Sequence, residues 1–166
     1  KEKISFGTDG WRGILGVDFT LERLLKVAAA SAQELANVRE KKNNKIIIGY
    51  DRRFLAEEMA EAVASAVRGV ELVPLLASSS LPTPSCSWGV IEENALGALV
   101  ITASHNPSEW LGLKIKGPFG GSVDSSFTDS VQKRIEAGGI SIPIEGPTEK
   151  IDFRKQHLQG ISQKFD

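Results

Sequence analysis

A Ser-His-Asn-Pro turn directly follows the apolar run at residues 97–101, and this placement makes its serine a candidate for chemistry. Such a run is typical of a strand buried on both faces, and open α/β sheets bind ligands where such strands end. Next to Ser104 is His105, Lys114 follows ten residues later, and Arg12 lies in the glycine-punctuated stretch near the start. One hydroxyl with three potential cations indicates a phosphate site, since these cations stabilise phosphate through charge-assisted hydrogen bonds.

The same residues allow a plainer interpretation. Serine and asparagine are common in turns, where their side chains bond the local backbone. On that interpretation Ser104 and Asn106 only shape the turn, His105 is a surface residue and Lys114 is solvated. Residue types alone leave both interpretations open.

Two other site chemistries are disfavoured. Adjacent residues on an extended chain point to opposite sides, so His105 is poorly placed to deprotonate Ser104, and His157 is the only other histidine. The chain has no G-x-S-x-G nucleophile elbow and no G-x-G-x-x-G dinucleotide turn. The sequence therefore lacks the motifs expected of a serine hydrolase and of a dinucleotide-binding module.

Composition sets the class of protein. The chain has 166 residues, 41% of them hydrophobic and 25% charged, with a net charge of −1, which fits one well-cored domain and gives no basic excess to attract nucleic acid or an anionic membrane. Cys86 is the only cysteine, which rules out an intrachain disulfide and suits a reducing compartment. The sequence shows no apolar stretch of membrane-spanning length and no signal-peptide core. We expect a cytoplasmic protein without nucleic-acid or membrane partners.

Strand and helix patterns alternate along the first hundred residues. Apolar spacing predicts a helix over residues 21–35 capped by Thr20, a second over 56–67 stopped by Gly69, and a third beginning at Thr83-Pro84. That third helix is expected to carry Trp88 and Ile91 to the core. The predicted strands between the helices span residues 45–50, 70–76 and 97–101. This order predicts a three-layer α/β/α sandwich with a mainly parallel mixed sheet.

The remainder continues the pattern to a domain boundary. A short strand is predicted over residues 113–116, and a fourth helix ends at Gly138-Gly139. The Pro- and Gly-containing segment 139–150 is typical of a linker or an edge segment. We therefore divide the chain into a domain at residues 1–140 and a linker with the start of a second domain at 141–166. The apolar stripe within 153–165 predicts a last helix that is disordered, packs back on the first domain, or pairs with another copy.

Four motifs in this order resemble the N-terminal α/β/α domain of the α-D-phosphohexomutases, the family of phosphoglucomutase, phosphomannomutase and phosphoglucosamine mutase. They are "FGTDGWRG" at 6–13, "GYDRRF" at 49–54, "PTP" at 82–84, and "TASHNP" at 102–107 with Gly112 and Lys114 after it. The residues themselves give the second motif a structural role: the Asp51 carboxylate and the two following arginines are expected to fix the turn after a strand.

The resemblance implies roles for the candidate residues. Ser104 matches the serine that carries a phosphoryl group, gives it to a sugar monophosphate and takes back the other phosphate of the bisphosphate intermediate. Arg12 matches the active-site arginine, which also binds substrate, and Lys114 matches a lysine that transfers a proton or stabilises the phosphoryl group. His105 matches a substrate contact. Trp110 to Gly112 departs from the family pattern of an aromatic residue, asparagine and glycine.

The resemblance also implies a cofactor, an activator and further domains. Family members have four domains, bind Mg2+ through three aspartates and the phosphoserine, and use a hexose 1,6-bisphosphate as activator. Ser104 would thus be a metal ligand through its phosphate, while the Asp-rich D-G-D-x-D-R loop, the sugar-recognition loop and the C-terminal phosphate loop are not in this sequence. Two interpretations stay open. The chain is part of a phosphohexomutase, whose partners are a hexose phosphate and the remaining domains of the same polypeptide, or it is a freestanding non-catalytic phosphate-binding domain.

Overall fold

One mixed sheet positions every candidate residue. The computed structural model describes residues 3–8, 10–38 and 43–165, and within them six strands pair in the order β1-β5-β4-β2-β3-β6. The strands are β1 (Gly10–Ile14), β2 (Lys45–Tyr50), β3 (Val73–Ala77), β4 (Gly97–Ile101), β5 (Trp110–Lys116) and β6 (Glu149–Ile151). Strands β2, β3, β4 and β6 are parallel, whereas β5 runs antiparallel to β1 and β4. The predicted mainly parallel mixed sheet is confirmed.

Helices cover both faces of this sheet. They are α1 (Leu21–Asn37), α2 (Ala56–Gly69), α3 (Thr83–Glu92), α4 (Ser125–Ala137) and α5 (Phe153–Phe165). A Cβ placed on Gly97 would lie 2.8 Å from Leu35 of α1, and one placed on Gly49 would overlap Cys86 Sγ of α3. Gly49 pairs with Val100, three residues from Gly97, so the two glycines face opposite sides. Helices α1 and α3 therefore lie on opposite faces, and the three-layer α/β/α fold is confirmed.

Local sequence signals explain most element boundaries. Thr20 Oγ1 accepts a hydrogen bond from Arg23 N at 3.4 Å, which confirms the predicted cap of α1. Strand β2 has the predicted bounds, and α2 ends at the predicted Gly69. The sequence also predicts that the charged stretch at residues 39–44 ends α1, but residues 39–42 lie outside the described residues.

Three sequence predictions need correction, and one strand was not predicted. Strand β3 begins at Val73 rather than residue 70, because residues 70–72 turn back onto the end of α2 and Glu71 has φ of +63°. Strand β5 begins at Trp110 rather than Leu113, and the sequence patterns do not predict β1. Ile91 is 56% exposed, so its predicted core position is wrong; Cys86 and Val90, one turn apart, form the buried stripe of α3.

The segment after α4 returns to the same sheet. Arg68 Nε donates to the Ile144 carbonyl at 2.8 Å, and Arg68 Nη1 donates to Thr148 Oγ1 at 2.7 Å. Strand β6 then pairs with β3 as an edge strand. Helix α5 packs back along α3, with Phe153 fully buried against Gly89, where an added Cβ would lie 2.7 Å from the ring. Of the three outcomes expected for the last helix, the structure shows that it packs back on the first domain.

In the described part of the chain, no helix combines the length and the apolar character needed to cross a bilayer.

The buried ring of Phe153 should anchor α5. Phe153→Ala should lower the free energy of unfolding by about 3–5 kcal/mol, because it removes a fully buried aromatic side chain. Phe165→Ala in the same helix is the matched control, and its 86%-exposed ring should contribute within about 0.5 kcal/mol. Urea unfolding measures both, and equal effects would contradict this account of how α5 docks.

Candidate functional site

The loop after β4 holds the candidate serine in an unusual backbone conformation. Ser104 has φ of +52°, in the left-handed region, which costs a non-glycine residue roughly 1–2 kcal/mol. Its side chain is half-buried, whereas His105 is exposed on the same loop. Such a conformation persists only when surrounding contacts impose it, and it is common at functional sites.

The Arg53 side chain supplies most of those contacts. Its guanidinium donates four hydrogen bonds to backbone carbonyls of the loop: to Ser104 at 2.9 Å, Asn106 at 2.6 Å, Pro107 at 2.7 Å and Trp110 at 3.2 Å. The rigid, planar array of guanidinium donors suits such a cluster of acceptors, and only 17% of the Arg53 side chain is exposed. Arg53, which lies three residues beyond the end of β2, thus fixes the shape of the loop after β4.

Asp51 holds both Arg53 and the start of the loop. Its carboxylate accepts from Arg53 N at 2.9 Å and from Thr102 Oγ1 at 2.7 Å, and lies 3.7 Å from Arg53 Nε. Thr102 Oγ1 in turn accepts from Ser104 N at 3.0 Å. The prediction that Asp51 and the two following arginines fix the turn after β2 is confirmed for Asp51 and Arg53. It is wrong for Arg52, whose exposed side chain makes no hydrogen bond or ion pair within the described residues. The link from Asp51 through Thr102 to Ser104 is additional.

Sequence reasoning missed this role of Arg53. Asp51 and Ser104 lie just beyond the ends of β2 and β4, and these strands are parallel neighbours whose carboxyl ends share one edge of the sheet. The shared edge of β2 and β4 was the signal that could have indicated this role. Using it requires knowing that these two strands, which are not consecutive in the chain, are neighbours in the sheet.

Arg12 reaches the same loop from β1. Its Nη1 donates to Asn106 Oδ1 at 3.0 Å, and its side chain crosses Gly112, where an added Cβ would lie 2.8 Å from Arg12 Cγ. Arg12 pairs with Gly112 across the β1–β5 ladder, and Thr102 N donates to the Gly112 carbonyl at 3.0 Å. The exposed Arg12 therefore lies against the serine loop.

Lys114 shares a sheet face with Arg12. It lies two residues beyond Gly112 on β5, and residues two apart on a strand point to the same side. Its register partners are Gly10 on β1 and Val100 on β4, and the lysine is half-buried. The register thus places both cations on one face, beside the strand that leads into Ser104.

The site offers positive charge and hydroxyls rather than a metal cage. An open cleft of about 640 Å³ lies beside the loop, lined by residues 51–54, Asn106 and Ser108. Burial, and after it the carboxylate of Glu57, raises the pKa of Tyr50, so this phenol at the end of β2 stays neutral at physiological pH. Among the described residues, no three His, Cys, Asp or Glu side chains cluster closely enough to hold a metal ion. This arrangement suits binding of a phosphate group.

Comparisons with known proteins identify relatives of this fold and site. Residues 3–139 match the family model described as phosphoglucomutase/phosphomannomutase, alpha/beta/alpha domain I. A phosphoglucomutase of Staphylococcus aureus is 30% identical over 156 residues, which is 90% of this chain but 27% of that protein. The chain therefore spans about a quarter of the length of the curated relatives it matches.

Solved structures agree with the family match. A protein named "putative phosphomannomutase" from Thermus thermophilus superposes with a TM-score of 0.88 at 30% identity, covering 99% of this chain and 37% of that one. A family protein from Burkholderia thailandensis, at 19% identity and a TM-score of 0.78, shares the fold over 93% of this chain and 34% of its own.

Removing the Arg53 guanidinium should loosen the serine loop. Arg53→Ala leaves four carbonyls without a charged donor, so we expect the free energy of unfolding to fall by about 2–3 kcal/mol. Amide exchange at residues 104–110 should accelerate. Arg52→Ala is the matched control, since Arg52 is exposed and makes no hydrogen bond or ion pair within the described residues. Unchanged amide exchange in Arg53→Ala would disprove this role.

Proposed function

Because this chain belongs to the phosphoglucomutase/phosphomannomutase family, as its α/β/α domain I, we propose that it carries the phosphoserine of an enzyme interconverting hexose 1-phosphates and hexose 6-phosphates. The observation that carries the proposal is the geometry of Ser104. A hydroxyl in a strained left-handed conformation is clamped by Arg53 at the carboxyl end of a buried strand, with Arg12 against the same loop.

The proposed reaction moves one phosphoryl group at a time. The P–O bond at Ser104 Oγ breaks as a hydroxyl oxygen of the hexose monophosphate bonds to phosphorus. A base takes the proton of that hydroxyl, and the leaving Ser104 Oγ takes up one proton in return. This gives a hexose 1,6-bisphosphate and the free serine. The bisphosphate then returns its other phosphoryl group to Ser104, which releases the isomeric monophosphate. Phosphoryl transfer needs chiefly alignment and neutralisation of charge, and this loop offers both.

Each candidate residue has a proposed part in these steps. Arg12, exposed and in contact with Asn106 of the loop, neutralises the phosphate and contacts substrate. Lys114 transfers the proton or stabilises the phosphoryl group, from the face of the sheet that it shares with Arg12. His105, exposed beside Ser104, is a substrate contact. Arg53 positions the loop and keeps its guanidinium on backbone carbonyls rather than on substrate.

Magnesium is part of the proposal, although this chain does not offer a complete site. The described part of the chain has no cluster of three metal-ligating side chains. This chain would therefore supply at most one ligand to the ion, the phosphate on Ser104. Mg2+ prefers near-octahedral oxygen coordination, so its other ligands would come from the remainder of a longer polypeptide. There the ion would neutralise phosphate charge. A hexose 1,6-bisphosphate would serve as activator by phosphorylating Ser104.

A longer polypeptide is also what the lengths of the relatives favour. The chain covers 27% of the Staphylococcus aureus phosphoglucomutase and 37% of the Thermus thermophilus structure. We therefore propose that it is one domain of a multidomain cytoplasmic enzyme, whose other domains complete the site and choose the sugar. The second candidate, a freestanding phosphate-binding domain, is favoured only by the missing metal-ligand cluster in the described part of the chain.

Phosphorylation of Ser104 tests the proposal. Incubation of the enzyme containing this chain with glucose 1,6-bisphosphate should add one phosphate, which peptide mapping by mass spectrometry should place on Ser104. Ser104→Ala should abolish the mass increase and reduce mutase turnover by at least ~1,000-fold, because covalent transfer through the serine is lost. The Ser108→Ala variant lacks an exposed serine of the same loop, and it should still become phosphorylated on Ser104. Phosphate at another residue, or normal turnover of Ser104→Ala, would reject the proposal.

The isolated chain distinguishes the two candidates. The purified 166 residues should unfold cooperatively yet show no glucose 1-phosphate or mannose 1-phosphate mutase activity with Mg2+ and bisphosphate present. Adding EDTA to the longer enzyme should abolish turnover while leaving existing phosphoserine in place. Turnover by the 166-residue chain would show that the missing domains are dispensable. A full-length sequence that ends without them would instead favour the binding domain.

A further inference from the structure

A second cavity lies at the same sheet edge, separate from the serine loop. Its volume is about 400 Å³, and it is open to solvent on one side and bordered by the turn after β2, the loop after β3, the start of α3 and the first turns of α5. Strands β2, β3 and β6 are parallel, so the segments that follow them meet at one edge. That edge is where α/β sheets place ligands. No residue of the loop 102–110 lines this cavity.

Two arginines give the cavity its charge. Arg52 follows β2, and Arg154 lies in the first turn of α5. Neither arginine side chain makes a hydrogen bond or an ion pair within the part of the chain that the structure describes, so both guanidinium groups can donate to a ligand. A guanidinium binds phosphate oxygens in a bidentate manner, which a solvated ammonium group does not.

The remaining polar lining is compatible with an anion. His157, one turn after Arg154 on α5, lies with Nδ1 3.0 Å from Ser85 Oγ, and Ser80 adds a second hydroxyl. The first turn of α3, beginning after Pro82, has no side-chain cap, so the positive end of its dipole borders the same space.

One carboxylate also lines the cavity, and its charge is already engaged. Asp51 accepts hydrogen bonds from Thr102 Oγ1 and Arg53 N and faces Arg53 Nε, as described for the serine loop. The two arginines are therefore not neutralised by it, and the net charge of the lining is positive.

We propose that this cavity binds the phosphate group of a small phosphate monoester through Arg52 and Arg154. The volume exceeds that of inorganic phosphate alone and falls in the ~300–1,000 Å³ range of small-molecule sites. Apolar lining from Leu81 and Leu158 offers a surface for the carbon skeleton of such a ligand. The site is distinct from Ser104 and does not depend on the proposed phosphoryl transfer.

Residue-resolved NMR titration of the 166-residue chain tests this site. Inorganic phosphate, glucose 6-phosphate and chloride are added at matched ionic strength, and amide shifts are followed at residues 80–85 and 154–158. We expect saturable shifts with both phosphate compounds and none with chloride. Tighter binding of glucose 6-phosphate identifies the monoester as the ligand, whereas equal or tighter binding of inorganic phosphate assigns the site to free phosphate and overturns the monoester proposal.

Matched variants separate a built site from general attraction. Arg52→Gln and Arg154→Gln should each weaken glucose 6-phosphate binding at least tenfold. Lys155→Gln, which removes the same charge one residue along α5 but outside the cavity, should change binding less than twofold. Ser108→Ala should leave the shifts at residues 80–85 and 154–158 unchanged. Those shifts do not require phosphate on Ser104, so a failure of the phosphoserine proposal would leave this one standing. Chloride-induced shifts at the same residues, no shift with either phosphate compound, or equal weakening by Lys155→Gln would overturn the proposal.

Discussion

The hydrogen bonds from Arg53 to the loop carbonyls are the interaction on which the candidate site depends. They join the ends of two parallel strands, β2 and β4, and they oppose the cost of holding Ser104 at positive φ. Since the guanidinium is mostly buried and held by Asp51, the loop is shaped before any ligand arrives. Preorganisation of this kind suits a reaction in which alignment contributes much of the rate.

This clamp also divides the work among neighbouring cations. Arg53 is committed to the backbone, whereas Arg12 reaches the loop from an edge strand and stays exposed. Arg52, one residue before the clamp, is exposed and lines the clefts on either side of it. Adjacent arginines in the chain therefore serve separate purposes, one structural and one available to ligands.

Local sequence signals predicted the layers and the placement of Ser104, because apolar runs and caps are properties of single elements. The run at residues 97–101 ends at the predicted edge, and Thr20 caps α1 as expected. The features that the sequence did not predict correctly depend on tertiary context. Strand β1 contains two glycines that weaken a strand pattern, and Ile91 lies on the outer side of a helix whose buried stripe includes Cys86. The Arg53 clamp required knowing which strands are neighbours.

Transfer of label from the serine tests the central claim most directly. The enzyme is phosphorylated with 32P, its label is mapped to Ser104, and it is mixed with unlabelled glucose 6-phosphate in a quench-flow experiment. The account predicts that label leaves the protein and enters glucose 1,6-bisphosphate at least as fast as steady-state turnover. Label that leaves more slowly than turnover, or that appears as inorganic phosphate, would contradict a phosphoryl-carrying Ser104.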